Sequence, residues 1–142
     1  MLFRSCVFCV GEDAGADDER LIVHRGRKNF VILNLFPYTS GHFMIAPFAH
    51  MDKLDDAKPE QLAEMMDLVQ RGIAASRRLY NPEGFNLGMN LGQAAGAGIR
   101  EHFHFHVVPR WTGDSNFMTI TGESRVLPEE LKVTFARMKE AF

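Results

Sequence analysis

The chain has no excess of charge of either sign. Its formal net charge is -2, with no basic stripe of the kind that tracks a phosphodiester backbone, which argues against a nucleic-acid polymer as partner. No apolar run approaches the roughly 20 residues that span a bilayer, and Met1-Leu2-Phe3-Arg4 is too short to read as a signal peptide. No membrane association is therefore expected, and a cytoplasmic location is. Cysteine is scarce: the two present, Cys6 and Cys9, form a C-x-x-C pair. In a reducing compartment such a pair reads as a metal knuckle or a redox couple rather than a structural bridge. Repeats and linkers are absent too. At 142 residues, one domain over 1–142 with a core of ordinary size is expected.

What the chain does have is a concentration of histidine. Three of its six histidines fall at every second position of Glu101-His102-Phe103-His104-Phe105-His106-Val107-Val108-Pro109-Arg110-Trp111. Side chains alternate between the faces of a strand, so a strand here puts His102, His104 and His106 on one face and Phe103, Phe105 and Val107 on the other. The apolar face is core. An edge strand wetting its polar face is the plain alternative, but solvent faces draw on Lys, Glu and Thr rather than on His alone. Neutral imidazole serves as nucleophile, base or metal ligand, so the row points to catalysis or metal binding. One ion cannot be held by all three, because strand rise separates His102 from His106 by about 13 Å. The histidines are therefore expected to divide between a metal or structural role at one end and catalytic chemistry at the centre.

The rest of the chain supplies a frame. A polar stretch from Gly11 to Arg20 reads as a flexible loop. Leu21-Ile22-Val23-His24 and Phe30-Val31-Ile32-Leu33 read as a hairpin around Arg25-Gly26-Arg27-Lys28-Asn29, with His42-Phe43-Met44-Ile45-Ala46 as a third strand. Leu62, Met65, Met66, Val69 and Ile73 recur at helical spacing after Pro59, predicting a helix to about Leu79. Phe85-Asn86-Leu87-Gly88-Met89-Asn90 is a fourth strand, and the histidine stretch the fifth. Between them, Gly92 to Gly98 is rich in small residues that let backbone N–H groups approach an anion. Leu131, Phe135, Met138 and Phe142 mark a C-terminal helix opened by Pro128-Glu129-Glu130. Antiparallel strands interrupted by a helix give an α+β domain.

These residues resemble a known family. His102-Phe103-His104-Phe105-His106-Val107-Val108 is similar to the motif of the histidine-triad (HIT) nucleotide-binding proteins, and Asn34-Leu35-Phe36-Pro37-Tyr38 with Gly41-His42-Phe43-Met44-Ile45-Ala46-Pro47 resembles that family's upstream strand pair. The segment from Pro109 to Met118 resembles the branch that contains diadenosine tetraphosphate phosphorylases. The resemblance implies a HIT-like fold of five antiparallel strands and two helices. It also implies a homodimer with paired sheets, its interface including the helix from Pro59 to Leu79 and the strand from Phe85 to Asn90.

By the same resemblance, His104 would attack the α-phosphorus of a purine nucleotide or dinucleoside polyphosphate and hold the nucleotidyl group, and His106 would orient or polarise the phosphates. Asn34 matches a ribose-contacting position. Val7, Phe8, Ile32 and Leu35 match the lining of a purine pocket, and Asn90 matches a polar residue near the phosphates. Where several branches place Ser, Thr or Gln against the leaving group, this chain has Gly98-Ile99. The backbone of Gly96, Ala97, Gly98 and Ile99 is expected to substitute, with Arg110 or Asn116 contributing. Some HIT proteins and galactose-1-phosphate uridylyltransferase carry a zinc site whose positions here are Cys6, Cys9, His50 and His102, a closed structural set. His24 is unassigned, and His42 is expected to be buried, hydrogen-bonded and structural. Phosphorolysis of a dinucleoside polyphosphate leads. Hydrolysis of such compounds or of nucleoside phosphoramidates, a nucleotide sensor without useful turnover, and a hydrolytic zinc enzyme using His102 and His104 are the alternatives.

Overall fold

The structure is a computed structural model that describes residues 6–99, 101–114 and 129–142. Five strands, β1 (Ile22–Arg25), β2 (Asn29–Leu33), β3 (Phe43–Pro47), β4 (Gly84–Gly88) and β5 (Phe105–Arg110), form one antiparallel sheet in the order β1-β2-β3-β5-β4. Among the described residues three α-helices accompany it: a single turn α1 (Asp17–Arg20), the long α2 (Pro59–Tyr80) and α3 (Leu131–Ala141). Two helices were expected; the third is α1. Acidic Asp17, Asp18 and Glu19 at its start suit a helix N-terminus, so a stretch that reads as loop on polarity closes into a helical turn, preceded by a 3-10 turn at Ala14–Ala16. No described helix is long and apolar enough to cross a membrane.

Alternation along the strands sorts the core into two layers. Val31 and Leu33 of β2, Phe43 and Ile45 of β3 and Val107 of β5 face α2 and α3, where Met65, Leu68, Val69, Phe135 and Met138 meet them. Phe43 seats so closely on α2 that a Cβ at Gly72 would lie 2.3 Å from its ring, which is why glycine occupies an otherwise unfavourable helical position. The opposite residues, Phe30, Ile32, Met44 and Ala46, form a second cluster with Cys6, Phe8 and Val10 of the N-terminal segment. The sheet thus has helices on one side and the cysteine loop on the other. β4 lies at the sheet edge with Leu87 exposed, and Met66 is exposed on α2.

A carboxylate from α2 fixes the β1–β2 turn. Glu64 Oε1 accepts the backbone N–H groups of Lys28 and Asn29, and Oε2 that of Arg27, each at 2.8 Å. Burial by itself would raise the Glu64 pKa, but these amides and the Asn29 side chain outweigh it and hold the group below its ordinary 4.5. Glu64→Gln offers one acceptor oxygen and turns an NH2 toward a backbone donor, so a loss of about 2–4 kcal/mol is expected at neutral pH. Because the folded pKa is depressed, the wild-type advantage is full above about 4.5 and fades as pH falls through the lower folded value. Urea titrations at neutral and acid pH check both magnitude and sign; a gap that widens in acid would contradict the assignment.

Candidate functional site

The sheet face opposite the helices carries a row set by register. Ile32 pairs with Met44, and Met44 pairs with His106, so the three side chains lie side by side across β2, β3 and β5. All three line a cavity of about 750 Å³. The N-terminal segment, the β2–β3 loop and the glycine-rich segment before β5 build its remaining walls, through Val7, Phe8, Asn34, Leu35, Asn90, Gly96, Gly98 and Ile99.

The histidine stretch is not one strand. β5 begins at Phe105, and upstream of it the backbone is anchored instead by the Phe103 N–H, which donates to the Met51 carbonyl at 2.9 Å. Only His106 therefore stands in the ladder. His102, fully buried, departs from the expected shared face and joins Cys6, Cys9 and His50, while His104 and His106 stay beside the cavity with rings 4.9 Å apart.

Backbone donors and acceptors assign the ring protons. The His102 carbonyl lies 3.1 Å from His104 Nδ1; a carbonyl only accepts, so Nδ1 carries the proton and the lone pair belongs to Nε2. The Tyr38 N–H donates to His42 Nδ1 at 3.2 Å, so His42 donates from Nε2 to His106 Nδ1 at 2.9 Å. His106 in turn carries its proton on Nε2. His42, buried as expected, thus fixes the direction of a hydrogen bond that ends at the cavity. Burial pushes His42 and His106 down to about 4, helped at His42 by His106 and His104 and at His106 by His104. Burial likewise holds His104 below its ordinary value, against the opposing bond to His102. At neutral pH the three rings are uncharged.

Beside this row, one ligand atom from each of Cys6, Cys9, His50 and His102 lies within 4.8 Å of the others. Cys9 Sγ is 3.1 Å from His50 Nδ1 and 3.7 Å from His102 Nδ1, and Cys6 Sγ is 3.5 Å from His102 Nδ1. Bonds of about 2.0–2.3 Å at tetrahedral angles place sulfur and nitrogen donors about 3.5 Å apart, so the spacing fits an ion. His102 Nε2 donates to the Pro47 carbonyl at 2.7 Å, which turns the lone pair of Nδ1 to the cluster. Burial and the adjacent Cys6 push the Cys9 thiol up to about 11, so its thiolate would need the opposing charge of a cation at the four donors. These four residues can hold a metal.

Among the expected contributors, Arg110 and Ala97 are placed off the cavity wall. The Arg110 guanidinium grips Asp114 with Nε and Nη2, both at 2.7 Å, and donates from Nη1 to Asn86 Oδ1 at 2.6 Å; it does not line the cavity. The turn after β5, closed by the Asp114 N–H to the Trp111 carbonyl at 3.0 Å, brings the pair together. Asn116 lies outside the described residues. The Gly96 and Ala97 amides bond to the carbonyls of Gln93 and Gly92, and Ala97 is not part of the wall. The left-handed φ of +89° at Gly96 makes this turn and calls for glycine. That leaves the Gly98 and Ile99 amides as candidates for the phosphates.

The cavity also takes residues that pattern reading did not find: Glu19, Arg20, Leu21, Leu33, Phe36, Tyr38 and Met44. Phe36 and Tyr38 are 79% and 67% exposed; large aromatic side chains in such positions signal a contact surface. Met44 could be found only through register, and Arg20 and Leu21 only through the unexpected turn α1.

A model described as "HIT domain" matches residues 16–113. The chain is 44% identical over 119 residues to a Mycobacterium tuberculosis (strain H37Rv) protein named AP-4-A phosphorylase, covering 84% of this chain and 61% of that relative's length. Among solved structures, a zinc-bound histidine triad family protein from Mycobacterium smegmatis is similar with a TM-score of 0.73 and 30% identity, covering 96% of this chain and 92% of that one. A histidine triad nucleotide-binding protein from Sulfolobus tokodaii strain 7 superposes with the same TM-score at 24% identity, covering 96% and 91%.

Proposed function

Because the chain belongs to the HIT family, we propose that it cleaves a purine dinucleoside polyphosphate at the α-phosphate through a nucleotidyl group carried on His104. The observation that carries this is the His104 tautomer: Nδ1 is committed to the His102 carbonyl, leaving a neutral Nε2 lone pair on a ring that lines the cavity. In the first step Nε2 bonds to the α-phosphorus and the bond from phosphorus to the leaving polyphosphate oxygen breaks. The ring becomes cationic, and its Nδ1–H bond to the carbonyl strengthens as charge develops, which favours the transition state over the ground state. His106 presents Nε2–H to a phosphate oxygen. In the second step an acceptor oxygen attacks phosphorus, the N–P bond breaks and neutral His104 returns.

The acceptor is proposed to be inorganic phosphate, on the strength of 44% identity to a protein named AP-4-A phosphorylase, of which this chain spans 61%. Incubation with diadenosine tetraphosphate, with and without phosphate, tests it. Phosphorolysis gives ADP plus ATP only when phosphate is present, whereas AMP plus ATP without it means hydrolysis, the second reading. For the hydrolytic metal alternative, His104 is absent from the four-residue cluster, which counts against an ion shared by His102 and His104. Val7, Phe8, Ile32, Asn34 and Leu35 are assigned to the nucleoside, and Asn90 with the Gly98 and Ile99 amides to the phosphates.

Zinc is the ion proposed for Cys6, Cys9, His50 and His102, since two thiolates and two imidazoles close a tetrahedron with no position for substrate. When bound it cross-links the N-terminal loop to the segment before β5 and takes no part in bond breaking. A second copy is proposed to pair across β4 and α2, where the sheet edge and Leu87 are otherwise exposed. A solution mass that stays at the 16.1 kDa of one chain across micromolar concentrations would rule this out.

A further inference from the structure

His104 is held on more than one side, and two of its supports come from the metal cluster. One is the His102 carbonyl that accepts the Nδ1–H, on a residue whose own ring belongs to the four-residue set. The other is Phe8. Its ring lies flat against the imidazole, with centroids 4.5 Å apart and planes at 28°. Phe8 sits inside the C-x-x-C loop, which closes on itself through the Cys9 N–H to the Cys6 carbonyl at 3.2 Å. That turn points Val7 outward, 61% exposed, and Phe8 inward, 2% exposed.

We infer that Phe8 is a positioning residue for His104, delivered by the cysteine loop, so that the cluster of Cys6, Cys9, His50 and His102 sets the orientation of the nucleophile. The inference rests on the reading of His104 as nucleophile and gives Phe8 a task beyond lining the nucleoside pocket. The carbonyl bond fixes one ring atom but leaves rotation about that bond; a flat aromatic face in van der Waals contact removes it. The two restraints together define both the tautomer and the plane of the ring, and with them the line along which Nε2 meets phosphorus. A nucleophile off that line by about 1 Å loses on the order of 10²-fold in rate while ground-state binding is little changed.

The distinguishing variant is Phe8→Leu, which keeps apolar volume and removes the flat face. In protein verified to hold one metal ion per chain, NMR spectra with residual dipolar couplings of the His104 ring should show a single ring plane in the wild type and a mixture of planes in the variant, with the Nδ1–H tautomer kept in both. kcat for diadenosine tetraphosphate should fall on the order of 10²-fold, with AMP affinity kept within about tenfold. Phe8→Tyr restores the face and should restore both the single ring plane and kcat, which keeps the test available if the leucine variant fails to fold. An unchanged His104 spectrum in Phe8→Leu, or a mixed one in Phe8→Tyr, overturns the inference, as does lost AMP affinity with intact kcat, which would make Phe8 a pocket wall only. A mixed His104 spectrum accompanied by undiminished turnover would uphold the positioning and overturn the nucleophile assignment instead.

Discussion

His104→Ala is expected to abolish turnover and to leave AMP binding in place. The substitution removes the only ring in the cavity whose Nδ1 is bonded to a backbone carbonyl among the described residues, and with it the Nε2 lone pair that would form the bond to phosphorus. His106 cannot take over, because its Nδ1 accepts from His42 and its Nε2 carries a proton. Loss of the covalent route should lower kcat by several orders of magnitude. The cavity wall formed by Val7, Ile32, Asn34 and Leu35, proposed to hold the nucleoside, is untouched, so AMP affinity should change little. Single-turnover assays and calorimetric titration with AMP measure the two effects separately. Wild-type-like rates in the variant would refute the covalent mechanism.

Cys9→Ser is expected to cost stability more than chemistry. A closed tetrahedral site contributes its binding free energy to folding, and serine, a weak neutral donor, breaks the set. The loss is expected to lower the melting temperature by on the order of 10 °C or more, and chelation of the wild type should act in the same direction. In molecules that remain folded, His102 keeps its bond to the Pro47 carbonyl and Phe8 its buried place, so the fall in kcat should not exceed that of Phe8→Leu. Metal analysis finding no zinc in protein purified without chelators, together with unchanged melting of the variant, would sink the site.

The parts of this architecture governed by local periodicity were legible in the sequence. The continuous apolar runs of β2 and β3 and the helical spacing of Met65 and Val69 are local signals that need no knowledge of the fold. The spacing of Cys6 and Cys9 and the three alternate histidines likewise singled out the chemistry-bearing segments, with their grouping supplied by resemblance to HIT proteins. What was not legible depends on contacts distant in sequence. The strand start at Phe105 follows from the hold of Met51 on Phe103, which frees His102 to turn away. Glu64 caps a turn about Lys28, 36 residues away. The Arg110–Asp114 pair depends on the turn that follows β5, and polarity alone misread Asp17–Arg20.

The strand order has a consequence for synthesis. β5, the last of the described strands to be made, is inserted between β3 and β4, so until residues 105–110 leave the ribosome the described sheet consists of a three-stranded piece and an unpaired β4. Long-range pairing of this kind is slow and leaves strand edges open meanwhile. The proposed nucleophile His104, the fourth residue of the candidate metal set, His102, and the strand β5 all emerge within the same short stretch of chain. A partly made molecule therefore lacks both His104 and His106 of the cavity wall and the His102 donor of the candidate metal set until the sheet can close.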